Sequence, residues 1–378
     1  MKIVYCIAKT HNSGGMERVL ANKANYLVKQ GYEVIIVTTD QCGKEPFFPL
    51  DSQIQCYDLA INYEENNGKT FLNKVIHYPF KQRKHKRKLS ALLGKFKADI
   101  VISMCCNDAS FIMGINDGSK KILEIHFSKF KRLQYDRKGI WKLADSYRSR
   151  LDEKMVRKFD RFVVLTEEDQ KYWGNLPNVE IIPNMLSFQP SRVSDLENKK
   201  VIAIGRYTYQ KGFENLVNAW KTVHGQQPDW RLEIIGNGEL EGRLKEQIVK
   251  GKLDGYVFLK SPIRQVDIIY EQASMLVMSS RYEGFGMVLV EAESFGIPVI
   301  SFACKCGPKD IITDGMDGFL VPEGDINILA DRILQLMKDK DLRQRMGIAA
   351  KKNSERFSPS VIMEKWMTLF NNLMNEKR

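Results

Sequence analysis

The 378-residue sequence is short of the features that mark several protein classes. No apolar run approaches the roughly 18–20 residues that a membrane-crossing helix needs. The seven cysteines form no disulfide framework and no zinc spacing. Cys105 and Cys106 are adjacent, and one lysine separates Cys304 from Cys306, so no Cys-x-x-Cys pair exists. That usage reads as buried thiols in a reducing cytosol. Asp-x-Asp occurs once, at Asp339-Lys340-Asp341, in a helical stretch remote from the other motifs, and no metal site is expected. The opening residues 1–8 carry too brief an apolar stretch for a signal peptide, and Lys9-Thr10-His11-Asn12 follows at once. They read as a first buried strand.

What is present is a globular balance, 43% hydrophobic and 28% charged, on a chain too long for one core. The net charge of +12 is unevenly spread. Residues 1–185 hold 31 Lys and Arg against 21 Asp and Glu, and the remainder holds 27 against 25. The N-terminal half therefore suits an anionic partner: nucleic acid, a membrane surface or a phosphorylated acceptor.

Short apolar runs alternate with helical periodicity. Residues 3–8 read as a strand, Gly15–Lys29 as a helix and Glu33–Thr38 as a strand, which is one βαβ unit. Strands at 99–103, 121–125 and 161–165 continue the series. The rhythm breaks at Ile182-Pro183-Asn184 and a polar stretch. It restarts with strands at 201–204, Arg231–Ile235, 256–259, Met275–Met278 and 298–301, between helices at 213–223, 240–249 and 287–295. The expectation is two doubly wound α/β domains, 1–184 and 200–355, joined by a linker at 185–199. A last helix within 356–378 has no strand after it and is expected to pack back on the N-terminal domain. In such sheets ligands bind at the carboxyl ends of strands, here in the cleft between the domains.

Two basic stretches interrupt the N-terminal half. Residues 81–88 hold six fixed positive charges after Phe71, Leu72, Val75, Ile76, Tyr78, Pro79 and Phe80. Residues 129–150 mix Lys131, Arg132, Arg137, Lys138, Lys142, Arg148 and Arg150 with Phe130, Tyr135, Ile140, Trp141 and Tyr147. Rings beside cations suit a lipid interface, and a merely solvated helix is the plain alternative.

Four constellations carry chemistry. Gly14-Gly15, between the first strand and helix, lets backbone approach a phosphate at a helix N-terminus, although an ordinary turn uses glycine too. Arg206, just past a strand end, and Lys211, at the next helix start, place two cations where a diphosphate would be clamped, unless both are solvated. In Glu283-Gly284-Phe285-Gly286-Met287-Val288-Leu289-Val290-Glu291 the free N–H groups opening a helix can take phosphate or sugar oxygens. Glu291, one turn in, can hold two ribose hydroxyls or simply match the helix dipole. His126 ends a strand of the N-terminal domain, a carboxyl-end position where a lone histidine is either structural or functional.

Taken together with Gly307-Pro308 and residues 314–322, these residues resemble glycosyltransferase family 4, and the likeness is densest over residues 201–322. The resemblance implies a GT-B fold, with two Rossmann-like doubly wound domains facing a central cleft, and retaining transfer from a nucleotide sugar, UDP by family frequency. It implies that Arg206 and Lys211 hold the leaving diphosphate and that Glu291 binds the ribose. Glu283 and the backbone of Gly284, Phe285, Gly286, Met287 and Val288 would bind donor sugar and phosphates. His126 would contact the sugar near the reaction centre, and Gly15 the distal phosphate. No bound metal is implied. The acceptor would be lipid-linked or a polysaccharide of the cell envelope, met by a cytoplasmic enzyme peripheral to the inner membrane face. Three other readings are weaker. Gly236-Asn237-Gly238 is followed by Gly242, one residue late for a dinucleotide fingerprint, with Asp254 the nearest acidic residue. No nucleic-acid module accompanies the basic tract. A sugar phosphorylase would need a cofactor-bearing lysine or a separate phosphate site.

Overall fold

A computed structural model describes residues 1–66, 71–130, 140–263 and 265–376, without the side chains of residues 66, 71–76 and 140–144. Lys131, Arg132, Tyr135, Arg137 and Lys138 lie outside the described residues, as do the side chains of Phe71, Leu72, Val75, Ile76, Ile140, Trp141 and Lys142. The chain forms two compact units. Met1–Leu165, Gln170–Ser187 and Pro359–Arg378 make the first, and Thr166–Asp169 with Phe188–Ser358 the second.

The first unit is built on β1 (Lys2–Cys6), β2 (Glu33–Thr38), β3 (Gln55–Asp58), β4 (Ile100–Ser103), β5 (Lys120–Glu124), β6 (Arg161–Val164) and β7 (Val179–Ile181). They lie in the order β3-β2-β1-β4-β5-β6-β7, every pair parallel. Helices cover such a sheet on both faces, so its central strands are apolar throughout. In β1, Ile3, Val4 and Tyr5 are fully buried, and Val4 stands opposite Ile35 and Val101. The helix Gly15–Lys29 turns Leu20, Ala24 and Leu27 inward at helical spacing. The C-terminal helix Pro359–Asn375 belongs to this unit, with Phe370 against Tyr32 and Trp366 over Lys23.

The second unit repeats the plan with β8 (Lys200–Ile204), β9 (Arg231–Ile235), β10 (Val257–Lys260), β11 (Met275–Met278), β12 (Val299–Phe302) and β13 (Gly318–Val321). Their order is β10-β9-β8-β11-β12-β13, again all parallel. Strand order reverses direction between β1 and β4, and between β8 and β11. At such a switch point the loops leaving adjacent strands diverge and open a crevice.

The stretch 185–199 is divided between the units. From Phe188 onward it packs on the second, where the Phe188 ring meets Tyr270 and Phe295. The hydroxyl of Ser194 donates to the Ala273 carbonyl at 2.6 Å.

Candidate functional site

At the switch point of the second unit, the loops leaving β8 and β11 carry the predicted cations and carboxylate. Arg206 follows β8 and is exposed, with no side-chain partner among the described residues. Lys211 ends a single turn, Tyr209–Lys211, before the helix Phe213–Gln226. Its ammonium sits 2.6 Å from Glu283 Oε1, past the end of β11, and both side chains are largely buried. The Glu283 N–H donates to the Lys305 carbonyl at 2.8 Å, fixing the loop in place.

Gly286 then takes the left-handed conformation, φ 101°, which turns the chain into the helix Met287–Ser294. The first N–H groups of that helix have no carbonyl four residues back to accept them. Glu291, its fifth residue, is 6% exposed, and its Oε2 accepts the Tyr270 hydroxyl at 2.8 Å. Tyr270 in turn stacks on Phe295. The carboxylate is therefore oriented by a buried phenol.

The Gly236-Asn237-Gly238 turn after β9 has another use than a dinucleotide fingerprint. A Cβ on Gly236 would stand 1.9 Å from the Gly205 carbonyl oxygen, and one on Gly238 would stand 2.6 Å from that of Tyr207. These glycines let the β9 loop pack on the β8 loop of the same chain. The Tyr207 hydroxyl donates to the carbonyls of Ile234 and Lys260, and burial pushes its acidity to about 12. The lone Asp-x-Asp is a capping device: Asp339 Oδ1 accepts the Leu342 N–H at 2.8 Å.

In the first unit His126 lies just past β5, its side chain 8% exposed. The ring Nε2 is 3.2 Å from Glu124 Oε1, close but outside the geometry of a formed hydrogen bond. Sequence reasoning missed what stands behind it. The Lys23 ammonium contacts both Glu124 oxygens at 2.8 and 2.6 Å, in a site where both residues are almost wholly buried. Burial by itself would raise the Glu124 carboxyl. The Lys23 ammonium and the His126 ring outweigh it and hold the group at about 2. Burial lowers Lys23 as well, against the pull of Glu124. A lysine on an amphipathic helix gives no signal of such a partner.

Gly14 caps the first helix, and its carbonyl accepts the Arg18 N–H. A Cβ at Gly14 would come 2.2 Å from the Glu17 carboxylate, whereas one at Gly15 would meet nothing within 4 Å. The helix N-terminus thus has its own acidic side chain folded over Gly14 and open space at Gly15.

The basic tract 81–88 lies on the helix Phe71–Phe96, and its charges are unequal. Lys81, Lys84 and Lys88 donate to the carbonyls of Asn62, Ala60 and Leu59, so half of the six close on their own chain. His85, at the same helix's buried face, is pushed down to about 4 by burial. Beside the tract lies a groove of about 1220 Å³, walled by Phe111, Met113 and Met155. Lys86, Arg148, Lys154 and Lys158 stand around it without ionic partners among the described residues. No helix among the described residues is long and apolar enough to cross a membrane.

Comparison with known proteins decides the family. The profile of Glycosyltransferase Family 4 matches residues 13–188, and that of glycosyl transferases group 1 matches residues 187–353. The chain belongs to the family 4 glycosyltransferases. This glycosyltransferase is 29% identical to AmsD of Erwinia amylovora, an amylovoran biosynthesis glycosyltransferase, over 98% of this chain and 99% of that one. It is 28% identical, over 99% of both chains, to a Campylobacter jejuni α-1,4-N-acetyl-D-galactosaminyltransferase named for a diNAcBac-PP-undecaprenol acceptor. The crystal structure of TarM superposes with a TM-score of 0.81 at 20% identity, covering 98% of each chain. A mutant of S. aureus TarM solved with UDP gives a TM-score of 0.77 at 20% identity, over 98% of this chain and 99% of that one. The glycosyltransferase thus has the GT-B fold, with two Rossmann-like doubly wound units.

Proposed function

We propose that this glycosyltransferase moves a hexose-type sugar, with retention, from a UDP-sugar to a lipid-linked or polysaccharide acceptor in envelope glycan synthesis. One observation carries the reading. At the β8/β11 switch point Arg206, without a side-chain partner among the described residues, stands with the Lys211–Glu283 pair, and Glu291 follows one helix turn into the same loop-helix segment. Arg206 and Lys211 hold the donor diphosphate and stabilise its charge as it leaves, the work a metal does elsewhere. Glu291 takes the ribose hydroxyls. Glu283 and the backbone from Gly284 to Val288, together with Gly14 and Gly15, hold donor sugar and phosphates. His126 contacts the sugar. The anomeric C–O bond to the diphosphate breaks, the acceptor oxygen bonds on the same face, and its proton passes to the departing phosphate. The relative named for an α-1,4 linkage fits such retention from an α-linked donor.

Four cations around an apolar groove support an anionic, lipid-bearing acceptor held by the first unit at the inner membrane face. The test is a thermal-shift panel of UDP, GDP, ADP, NAD and sugar nucleotides. Saturation at a hundredfold over the dissociation constant adds about 2.7 kcal/mol. A shift with UDP and its sugars that weakens in Glu291→Gln is expected. A shift with NAD alone would sink the reading.

A further inference from the structure

Glu124 and Lys23 are expensive residues to bury. A carboxylate and an ammonium taken from water lose solvation that their attraction only partly returns, and well-packed apolar residues in their place are often as stable or more so. Packing therefore gives no reason for a pair here. The location gives one. Glu124 is the last residue of β5, and its Oε1 faces His126 Nε2 at 3.2 Å while both oxygens face Lys23. Neither ring nitrogen of His126 has a formed hydrogen bond among the described residues, and Nε2 is the one that lies beside the carboxylate.

We propose that Lys23 and Glu124 act as a positioning pair for His126, which fixes the proton of its imidazole on Nε2 and presents Nδ1 as an acceptor. This rests on the assignment of His126 to the sugar site. A carboxylate beside Nε2 favours the proton on that nitrogen, so the lone pair is left on Nδ1 for a sugar or acceptor hydroxyl. Lys23 offsets the charge of Glu124, and the imidazole feels a dipole instead of a whole negative charge. The titratable groups that face Glu124 are Lys23 from the first helix, His126 from its own strand end and Tyr5 from β1. Tyr5 is buried and stays un-ionised. The C-terminal helix is part of the device: the Trp366 ring covers the Lys23 ammonium at 3.6 Å, with the Tyr5 ring at 5.4 Å. Lys23 is thus held against Glu124 by two aromatic faces.

The experiment follows the imidazole nitrogen shifts of His126 by NMR in the full chain as pH is varied, in wild type, Lys23→Met, Glu124→Gln and the double variant. His126→Asn assigns the resonance among the five histidines. Lys23→Met leaves the anion beside the ring uncompensated and moves its titration upward. Glu124→Gln leaves the cation and moves it downward. The double variant leaves no unpaired buried charge, so it folds even where a single variant does not, and it falls between the two. Its ring also loses the preference for a proton on Nε2. A double variant that keeps both the wild-type tautomer and the wild-type midpoint overturns the proposal. Transfer is assayed on the same proteins: shifted titrations with unchanged turnover would remove His126 from the reaction while leaving the positioning pair standing.

Discussion

Glu291 offers the sharpest separation of binding from folding. Two substitutions act on it differently. Glu291→Ala removes the carboxylate that accepts from the buried Tyr270 hydroxyl. Losing the acceptor of a buried hydroxyl costs about 1–3 kcal/mol. At roughly 2–4 °C per kcal/mol for a unit of this size, the melting temperature falls by about 5 °C. Glu291→Gln keeps a carbonyl oxygen for Tyr270, so stability stays near wild type while the negative charge is lost. A hydrogen bond to a charged group contributes about 1 kcal/mol more than a neutral one. Two ribose hydroxyls then lose about 2 kcal/mol between them, roughly 30-fold in the dissociation constant for UDP. Isothermal titration with UDP and thermal denaturation of the three proteins read the two effects apart. A Glu291→Gln protein that melts normally and binds UDP with wild-type affinity would refute the ribose assignment.

Arg206→Ala removes an exposed cation, so it leaves the melting temperature unchanged while turnover drops about 100-fold or more; steady-state kinetics with normal turnover would remove it from the leaving-group site. Asp108 is fully buried, its Oδ2 has no partner among the described residues, and burial raises its carboxyl to about 6 against an ordinary 3.8. Between those values the folded state keeps a proton that the unfolded chain has lost, so stability falls as pH rises through the window and is level above it. Asp108→Asn is therefore expected to stabilise the protein by up to about 3 kcal/mol at pH 7 and to change nothing below pH 3.8, as urea titrations at the two ends would read. Reversing Arg148 and Lys154, which line the groove, should weaken binding to anionic vesicles more than neutralising Lys81, Lys84 and Lys88, whose ammonium groups already donate to carbonyls. Equal losses would make the tract itself the contact.

The architecture was largely legible because buried parallel strands and the helices covering them have strong periodic signatures. Gly15–Lys29, Glu33–Thr38, Arg231–Ile235 and Met275–Met278 stand where the sequence alone puts them. The strands that escaped notice are β3, β7 and β13. Gln55–Asp58 and Val179–Ile181 lie at the sheet edges, short and only partly buried, and so lack an apolar run. Gly318–Val321, also an edge strand, lies inside a motif that resemblance had already absorbed.

Local sequence determined where strands end and helices begin, and hence that Arg206, Lys211, Glu283, Glu291 and His126 would lie in strand-end loops or the helices that follow them. Those are properties of neighbours in the chain. Only the tertiary structure decided which of those groups are already occupied by others. Lys211 pairs with Glu283 across 72 positions, and Lys23 with Glu124 across 101. The same holds for the basic tract, where three of six charges donate to carbonyls of their own chain. A charged side chain is written identically whether water or a buried partner solvates it. The choice is made by packing, which brings together residues that the sequence keeps far apart.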